Sequence, residues 1–368
     1  MRVYSIETEH FRLLEAQRVE LSPGVNVITG ANAQGKTTLL EAVYLLTGGR
    51  SFRTRFDKEL IAFEEEHARV AGAIRANDRD QRIELRFSRG RSRQMKCNGV
   101  RRTSGELNET LKAVLFSPDD LGLVRGSAAG RRKLMDAAIS QLRPGYAALL
   151  ADYTSLYENK TRILRDWREK PSLLEPLDEF SQAMARASAR LIRYRASFAR
   201  RLSEASEPIH RDFSGEREEL RIGYATVSTV TDPTAAEGQI FSEIWARQSQ
   251  LRQAELEAGQ CLVGAHKDDL LISIGEADAR TFASQGQART AALSMKLAER
   301  EIFLAETGES PVLLLDDVLS ELDAGRQEFV LNRIGDGQTL ITCCEDEKIA
   351  EKTGGRVIFI ENGTIQES

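Results

Sequence analysis

An α/β nucleotide-binding head, interrupted by a long helical insertion, is the architecture this sequence predicts, and three observations carry it. The run Gly30-Ala31-Asn32-Ala33-Gln34-Gly35-Lys36-Thr37-Thr38 follows an apolar strand pattern (Val25, Val27, Ile28) and precedes a helical one (Leu39, Leu40, Val43, Leu46). This is the spacing G-x-x-x-x-G-K-T in a strand-loop-helix setting. A second apolar run, Val312-Leu313-Leu314-Leu315, ends in Asp316-Asp317, 280 residues after Lys36. Between the two, from about Ser117 to Ala258, the pattern is almost wholly helical. The expected domains are therefore 1–116, the N-terminal half of the head, 117–258, a helical arm, and 259–368, the C-terminal half of the head.

The elements follow in order. Met1 to Ile6, Arg18 to Leu21 and Gly24 to Ile28 read as short strands leading into the glycine loop, and Gly48-Gly49 closes the helix after it. Ala68 to Ala76 and Gln81 to Ser88 read as strands. Asn98-Gly99, between Met95–Cys97 and Val100–Arg102, supplies the positive φ of a type I′ hairpin turn. Ser117-Pro118-Asp119-Asp120 opens the helical stretch. A helix after Pro144 carries Tyr146, Leu149, Tyr153, Ile163 and Leu164. Another, after Pro171, carries Leu173, Leu177, Phe180, Met184, Ala187, Leu191, Tyr194, Phe198 and Leu202 at heptad spacing. The pair predicts a short antiparallel, coiled-coil-like hairpin of roughly 45 to 50 Å at 1.5 Å per residue. Strand character returns at Cys261–Val263 and Leu270–Ile274, and Leu293, Met295, Leu297 and Ile302 mark a further helix.

Composition bounds the setting. Apolar residues at 41% and charged residues at 29% fit a soluble globular chain, and no uncharged apolar run reaches the 18 residues that read as a membrane span. Nothing near Met1 resembles a signal peptide, so a cytoplasmic location without membrane attachment is expected. The four cysteines (Cys97, Cys261, Cys343, Cys344) are scattered, with neither C-x-x-C spacing nor a histidine at ligand spacing, which argues against zinc and a disulfide framework. Net charge is −5, yet eight Arg or Lys stand against Glu84 alone between Arg82 and Arg102, and six arginines fall between Arg186 and Arg201 without an acid. Smaller groups are Arg50, Arg53 and Arg55, and Arg125, Arg131, Arg132 and Lys133. Local basic surface on an acidic chain suits a polyanion held through its phosphates, independently of sequence.

The chemistry concentrates at the two ends of the head. Glycines bracketing the loop let its backbone N–H groups turn inward on a triphosphate, and the helix beginning near Lys36 adds the positive end of its dipole. The expected nucleotide contacts are Gly30, Ala31, Asn32, Ala33, Gln34, Gly35, Lys36, Thr37 and Thr38. Lys36 reaches the β and γ phosphates, and the Thr37 hydroxyl is a ligand for Mg²⁺. Asp316 is the expected metal partner through water, and Asp317 is placed to orient the attacking water.

In this order, the loop, Ser284-Gln285-Gly286-Gln287, the apolar strand with Asp316-Asp317, and Ser320-Glu321-Leu322-Asp323 resemble the ABC-type ATPases. The inserted arm places the chain with their chromosome-associated, SMC-like branch, and it is most similar to the RecF family of recombination mediators. The matching stretches are Gly30 to Leu46, Leu115 to Asp136, Pro144 to Leu156, Val263 to Leu270 and Phe282 to Asp323. The resemblance implies an ABC-type P-loop head of mixed sheets plus helices. It implies further nucleotide contacts from Ser284, Gly286 and Gln287, with Ser284 capping the γ phosphate in the partner of an ATP-dependent homodimer. It also implies binding to double-stranded DNA at single-strand gaps, and work with RecR and RecO to place RecA on SSB-covered DNA.

Two departures are visible. Glu158-Asn159-Lys160-Thr161 stands where the family often has Arg-Asn, and Leu340-Ile341-Thr342-Cys343-Cys344 lacks the switch histidine of transporters. Asp317 stands where transporters have Glu, so slow, DNA-stimulated turnover is expected, with Asp317, Lys36 and Ser284 as the catalytic set. The alternative, the nucleotide-binding motor subunit of an ABC transporter, requires a membrane partner and that histidine.

Overall fold

From the N-terminus the chain lays down β1 (Arg2–Glu9), β2 (Gln17–Glu20) and β3 (Val25–Thr29), then α1 (Lys36–Leu45). Next come β4 (His67–Ala76), β5 (Arg79–Ser88), β6 (Arg91–Cys97) and β7 (Val100–Arg101), with α2 (Ser104–Asn108) and β8 (Ala113–Phe116) after them. The helical stretch holds α3 (Ala128–Leu142), α4 (Tyr146–Asp166) and α5 (Leu177–Ser214), then β9 (Leu220–Ala225) and α6 (Glu237–Ala258). It continues through β10 (Asp269–Ile274), β11 (Ala277–Asp278), α7 (Ala279–Phe282) and α8 (Gln285–Thr307). The chain finishes with β12 (Val312–Asp316), α9 (Ala324–Arg333), β13 (Thr339–Thr342), α10 (Glu347–Thr353), β14 (Arg356–Glu361) and β15 (Thr364–Glu367). This computed structural model describes residues 1–343 and 347–367.

The chain divides into two units. The first comprises Met1–Gly122, Asp212–Gly215 and Ala292–Ser368, the second Leu123–Arg211 and Glu216–Ala291. In the first, one sheet has the order β2-β1-β4-β5-β6-β7, with antiparallel neighbours throughout. Its Asn98-Gly99 turn has positive φ at both residues, as that dipeptide favours. The other sheet runs β15-β14-β3-β13-β12-β8, parallel except for the edge strand β15. Every residue of β12 is buried, because a parallel sheet is covered on both faces. One core joins the two sheets: Val3 and Ile6 of β1, Leu39, Leu40 and Val43 of α1, Val70 and Ile74 of β4, and Leu314, Leu340 and Ile360 of the parallel strands.

In the second unit, α4 and α5 pack through an edge-to-face pair, Tyr146 and Tyr194, with ring centroids 5.4 Å apart. The 38 residues of α5 make it about 57 Å long at 1.5 Å per residue. Leu177, Met184, Leu191, Phe198 and Leu202 of the heptad stripe are buried, and so are Ala185, Ser188, Ile192, Arg195 and Ala199. The buried face is therefore wider than a two-helix seam. The reason is a third layer. β9 pairs antiparallel with β10, in the order β11-β10-β9, and Arg195 ties α5 to the segment preceding β10.

The structure corrects two expectations about elements. Cys261–Val263 is not a strand: it lies between Gly259, which ends α6 in the left-handed region, and Gly264, which also has positive φ. The stretch 259–291, expected in the second half of the head, falls in the second unit because its strand β10 finds its partner in β9.

Candidate nucleotide and metal site

The loop between β3 and α1 is shaped by three positive-φ residues, Gly30, Ala33 and Gly35. A Cβ at Gly30 would run into the carbonyl oxygen of Ile360 on the neighbouring strand β14, so no other residue fits there without a shift. Gln34 pins the loop from outside: its carbonyl accepts from Gly363 N–H at 3.1 Å and its side-chain oxygen accepts from Asn362 N–H. Ala31, Asn32 and Ala33 remain exposed at the rim. Inside the loop, the Lys36 ammonium donates to the carbonyls of Gly30 at 2.6 Å and Ala31 at 3.1 Å, and only 7% of the side chain is exposed. A cation curled against its own loop is close to where phosphate oxygens would compete for it.

Thr37, in the first turn of α1, donates its hydroxyl to Asp316 Oδ1 at 2.7 Å. β12 delivers that carboxylate, and burial pushes its pKa above the ordinary carboxylate value, opposed by the Thr37 and Thr342 hydroxyls and the charge of Arg53. A desolvated carboxylate beside a threonine hydroxyl is a hard-oxygen donor pair that fits Mg²⁺. The next residue, Asp317, has a left-handed backbone (φ 52). Its N–H donates to Thr342 Oγ1 at 2.8 Å, and Ser320 Oγ donates to its carbonyl and its Oδ1 at 2.7 and 3.0 Å.

Thr342 was not legible as a site residue. It stands opposite Asp316 in the parallel register of β12 and β13, and its hydroxyl donates to Asp316 Oδ1 at 3.0 Å while accepting from Asp317 N–H. Its only sequence signal is a polar residue ending an apolar strand. Cys343, next along, is buried, and Cys344 lies outside the described residues. A second layer behind α1 was missed as well. Glu41, fully buried, accepts from Ser51 and pairs with Arg12 at 2.7 Å and Arg53 at 3.6 Å, while Arg53 also donates to Thr38 Oγ1 at 3.4 Å.

Ser284, Gly286 and Gln287 belong to the second unit. Ser284 caps α8 through a reciprocal pair: its N–H donates to Gln287 Oε1 at 2.8 Å, and Gln287 N–H donates to Ser284 Oγ at 3.2 Å. That is a capping box, and it leaves Ser284 exposed at the positive end of a 23-residue helix.

The basic clusters change meaning once paired. Arg195 is buried against Asp136 at 2.9 Å and Asp268 at 2.8 Å, and Arg131 grips Asp269 at 2.7 Å, so neither is placed to meet a phosphate. In the first cluster, Arg82 binds Glu7 at 2.6 Å, Arg86 binds Glu84 at 2.9 Å and Arg93 binds Asp57 at 3.2 Å. Within the basic clusters, Arg131 and Arg195 are thus internal ties, while Arg82 and Arg86 pair with acids at the surface.

The RecF/RecN/SMC N terminal domain family matches residues 2–366. A DNA replication and repair protein RecF from Desulforamulus reducens is 36% identical over 343 residues, covering 93% of this chain and 92% of the relative. The chain belongs to the RecF family. A RecF family protein of Clostridium tetani is 35% identical, with both chains fully covered. Among solved structures, a recombination mediator protein RecF described with ATPrS in the RecFOR pathway superposes with a TM-score of 0.92 at 34% identity, covering 100% of this chain and 98% of that one. The Pyrococcus furiosus Smc head domain, at 16% identity and a TM-score of 0.57, shares the fold. Membership in the RecF family sets aside the transporter-motor alternative. No helix among the described residues is long and apolar enough to cross a membrane.

Proposed function

We propose that this chain is an ATP-dependent DNA-binding protein of recombinational repair, using ATP as a switch. The bond between Thr37 and Asp316, joined across 279 residues of sequence, carries the reading. It sets a metal-binding hydroxyl and a desolvated carboxylate at the mouth of a phosphate-shaped loop. Relatives solved with ATP and ATPrS in the RecFOR pathway support it.

In this reading the N–H groups of 30–37 and the Lys36 ammonium hold the phosphates, and Thr37 and Asp316 hold Mg²⁺. The cation, when bound, neutralises charge on the phosphates. Asp317, braced by Thr342 and Ser320, orients a water and accepts its proton. An aspartate is one methylene shorter than a glutamate, so turnover is slow and serves as a timer. Ser284, at the start of α8, completes the site of a second copy. ATP therefore drives a homodimer that holds double-stranded DNA at gaps and acts with RecR and RecO on RecA loading. ATP turnover by the purified chain, measured with and without gapped duplex DNA, tests this. Stimulation by gapped DNA is expected, and turnover indifferent to DNA overturns the coupling.

A further inference from the structure

Two of the four histidines in the chain, His10 and His67, converge on one point of the first unit. His10 directly follows β1 and His67 opens β4, and these strands are antiparallel neighbours with Glu9 opposite Arg69. The two rings meet edge to face, with centroids 5.7 Å apart. Glu9 joins them: one ligand-capable atom from each of Glu9, His10 and His67 lies within 4.8 Å of the others. Glu65 adds a second carboxylate, its Oε1 3.5 Å from His10 Nδ1. The remaining histidines have internal partners, His210 beside Glu218 and His266 between the Tyr153 hydroxyl and the Cys261 carbonyl.

We propose that Glu9, His10 and His67, with Glu65 as fourth ligand, form a binding site for a transition-metal dication of the Zn²⁺ class. Imidazole nitrogens with carboxylate oxygens suit Zn²⁺, Co²⁺ or Ni²⁺, whereas Mg²⁺ prefers oxygen alone. Two carboxylates balance the charge of the ion. Ligands on a single Zn²⁺ stand at most about 4.2 Å apart, given bonds of about 2.1 Å, so the spread of Glu9, His10 and His67 closes by small side-chain rotations. The backbone already aims the donors. His10 is held at φ 49, its carbonyl accepts from Ala62 N–H at 2.8 Å, and the neighbouring Phe11 is fully buried. His67 is fixed by its pairing with Ser88 of β5. Glu9 and His10 are half-buried and His67 is exposed, so an ion reaches the site from solvent. The turn after His10 also carries Arg12, which grips the buried Glu41 of α1. Bound metal therefore staples that turn to the start of β4.

The test uses the full chain. Co²⁺ titration followed by visible absorption, in excess Mg²⁺ to occupy the Thr37–Asp316 pair and with Zn²⁺ competition, should show one ion per chain. His67→Ala should weaken binding at least about tenfold, the scale on which losing even an outer-shell partner weakens a metal site, and ATP affinity should not change. Hydrogen exchange across 10–14 and 62–67 should slow with Zn²⁺ in the wild type and not in the variant. Glu9→Gln keeps the side-chain shape and is the second variant should His67→Ala fail to fold by circular dichroism. Absence of one-to-one uptake overturns the site. Uptake with wild-type affinity by the variant tested also overturns it, since the ion then sits elsewhere, for instance on cysteine.

Discussion

Lys36 and Asp317 fail in different ways if the proposed roles hold. Lys36→Ala removes the cation held by the loop carbonyls and leaves phosphate charge without its main protein partner. ATP affinity should fall by at least tenfold, or about 1.4 kcal/mol, with the fold intact, and unchanged affinity in a filter or calorimetric assay would refute the role. Asp317→Asn keeps shape but cannot accept a proton, so nucleotide binding should persist while turnover drops by about 10² or more. Thr342 offers a sharper distinction, because one hydroxyl serves both acids. Thr342→Val leaves the half-buried Asp317 N–H without its acceptor, a loss of about 1 kcal/mol. It should weaken Mg²⁺-dependent turnover more than nucleotide affinity, and Thr342→Ser should restore both. Equal behaviour of the Val and Ser variants would reduce the hydroxyl to a packing role. The acids and the lysine were legible because their spacing follows the loop and strand that carry them. Thr342 was not, because its role exists only in the register that sets it beside Asp316.

At the scale of elements, long periodic segments were readable, and short strands were readable where apolar residues marked them, as at Val25–Thr29, Asp269–Ile274 and Val312–Asp316, but not at Leu220–Ala225. The stripe from Leu177 to Leu202 announces α5 on its own, since a helix satisfies its own hydrogen bonds. Leu220–Ala225 contains a glycine at 223 and spans six residues, so its strand identity depends on pairing with β10. Charge was misleading at one position for a related reason: Arg186, Arg190, Arg193 and Arg200 are exposed, but Arg195 in the same run is buried against acids of other elements. Arg195, on α5, donates to Asp136 and to Asp268, and Asp268 is fully buried with Tyr224 and Thr226 as its other partners. Arg195→Ala strands that carboxylate and should destabilise the chain by about 3 to 5 kcal/mol, read as a lowered urea midpoint. A DNA-contact role predicts instead an unchanged midpoint with weaker, less salt-dependent DNA binding.

For the whole molecule, the proposed active site is completed by a second copy of the chain. Ser284 caps its own helix through Gln287, yet Ser284 and Gln285 stay exposed at the positive end of the α8 dipole. The dipole favours an anion there, and a second copy would supply it in a twofold arrangement where each chain completes the other's site. Ser284→Arg should bind ATP as a monomer and fail to dimerise, because a bulky cation fills the phosphate position. Losing the cap costs only about 1 kcal/mol, so the fold should survive. Mixing Lys36→Ala with Ser284→Arg is decisive. A mixed dimer then has one intact site, built from the loop of the Ser284→Arg chain and the serine of the Lys36→Ala chain, and part of the ATP turnover should return although each variant alone is dead. Pull-down with differently tagged chains and ATP reads the assembly itself. A mixed dimer that forms but stays inactive means the two sites fire only together. No mixed dimer, and no recovery, places Ser284 within its own chain and removes the shared site.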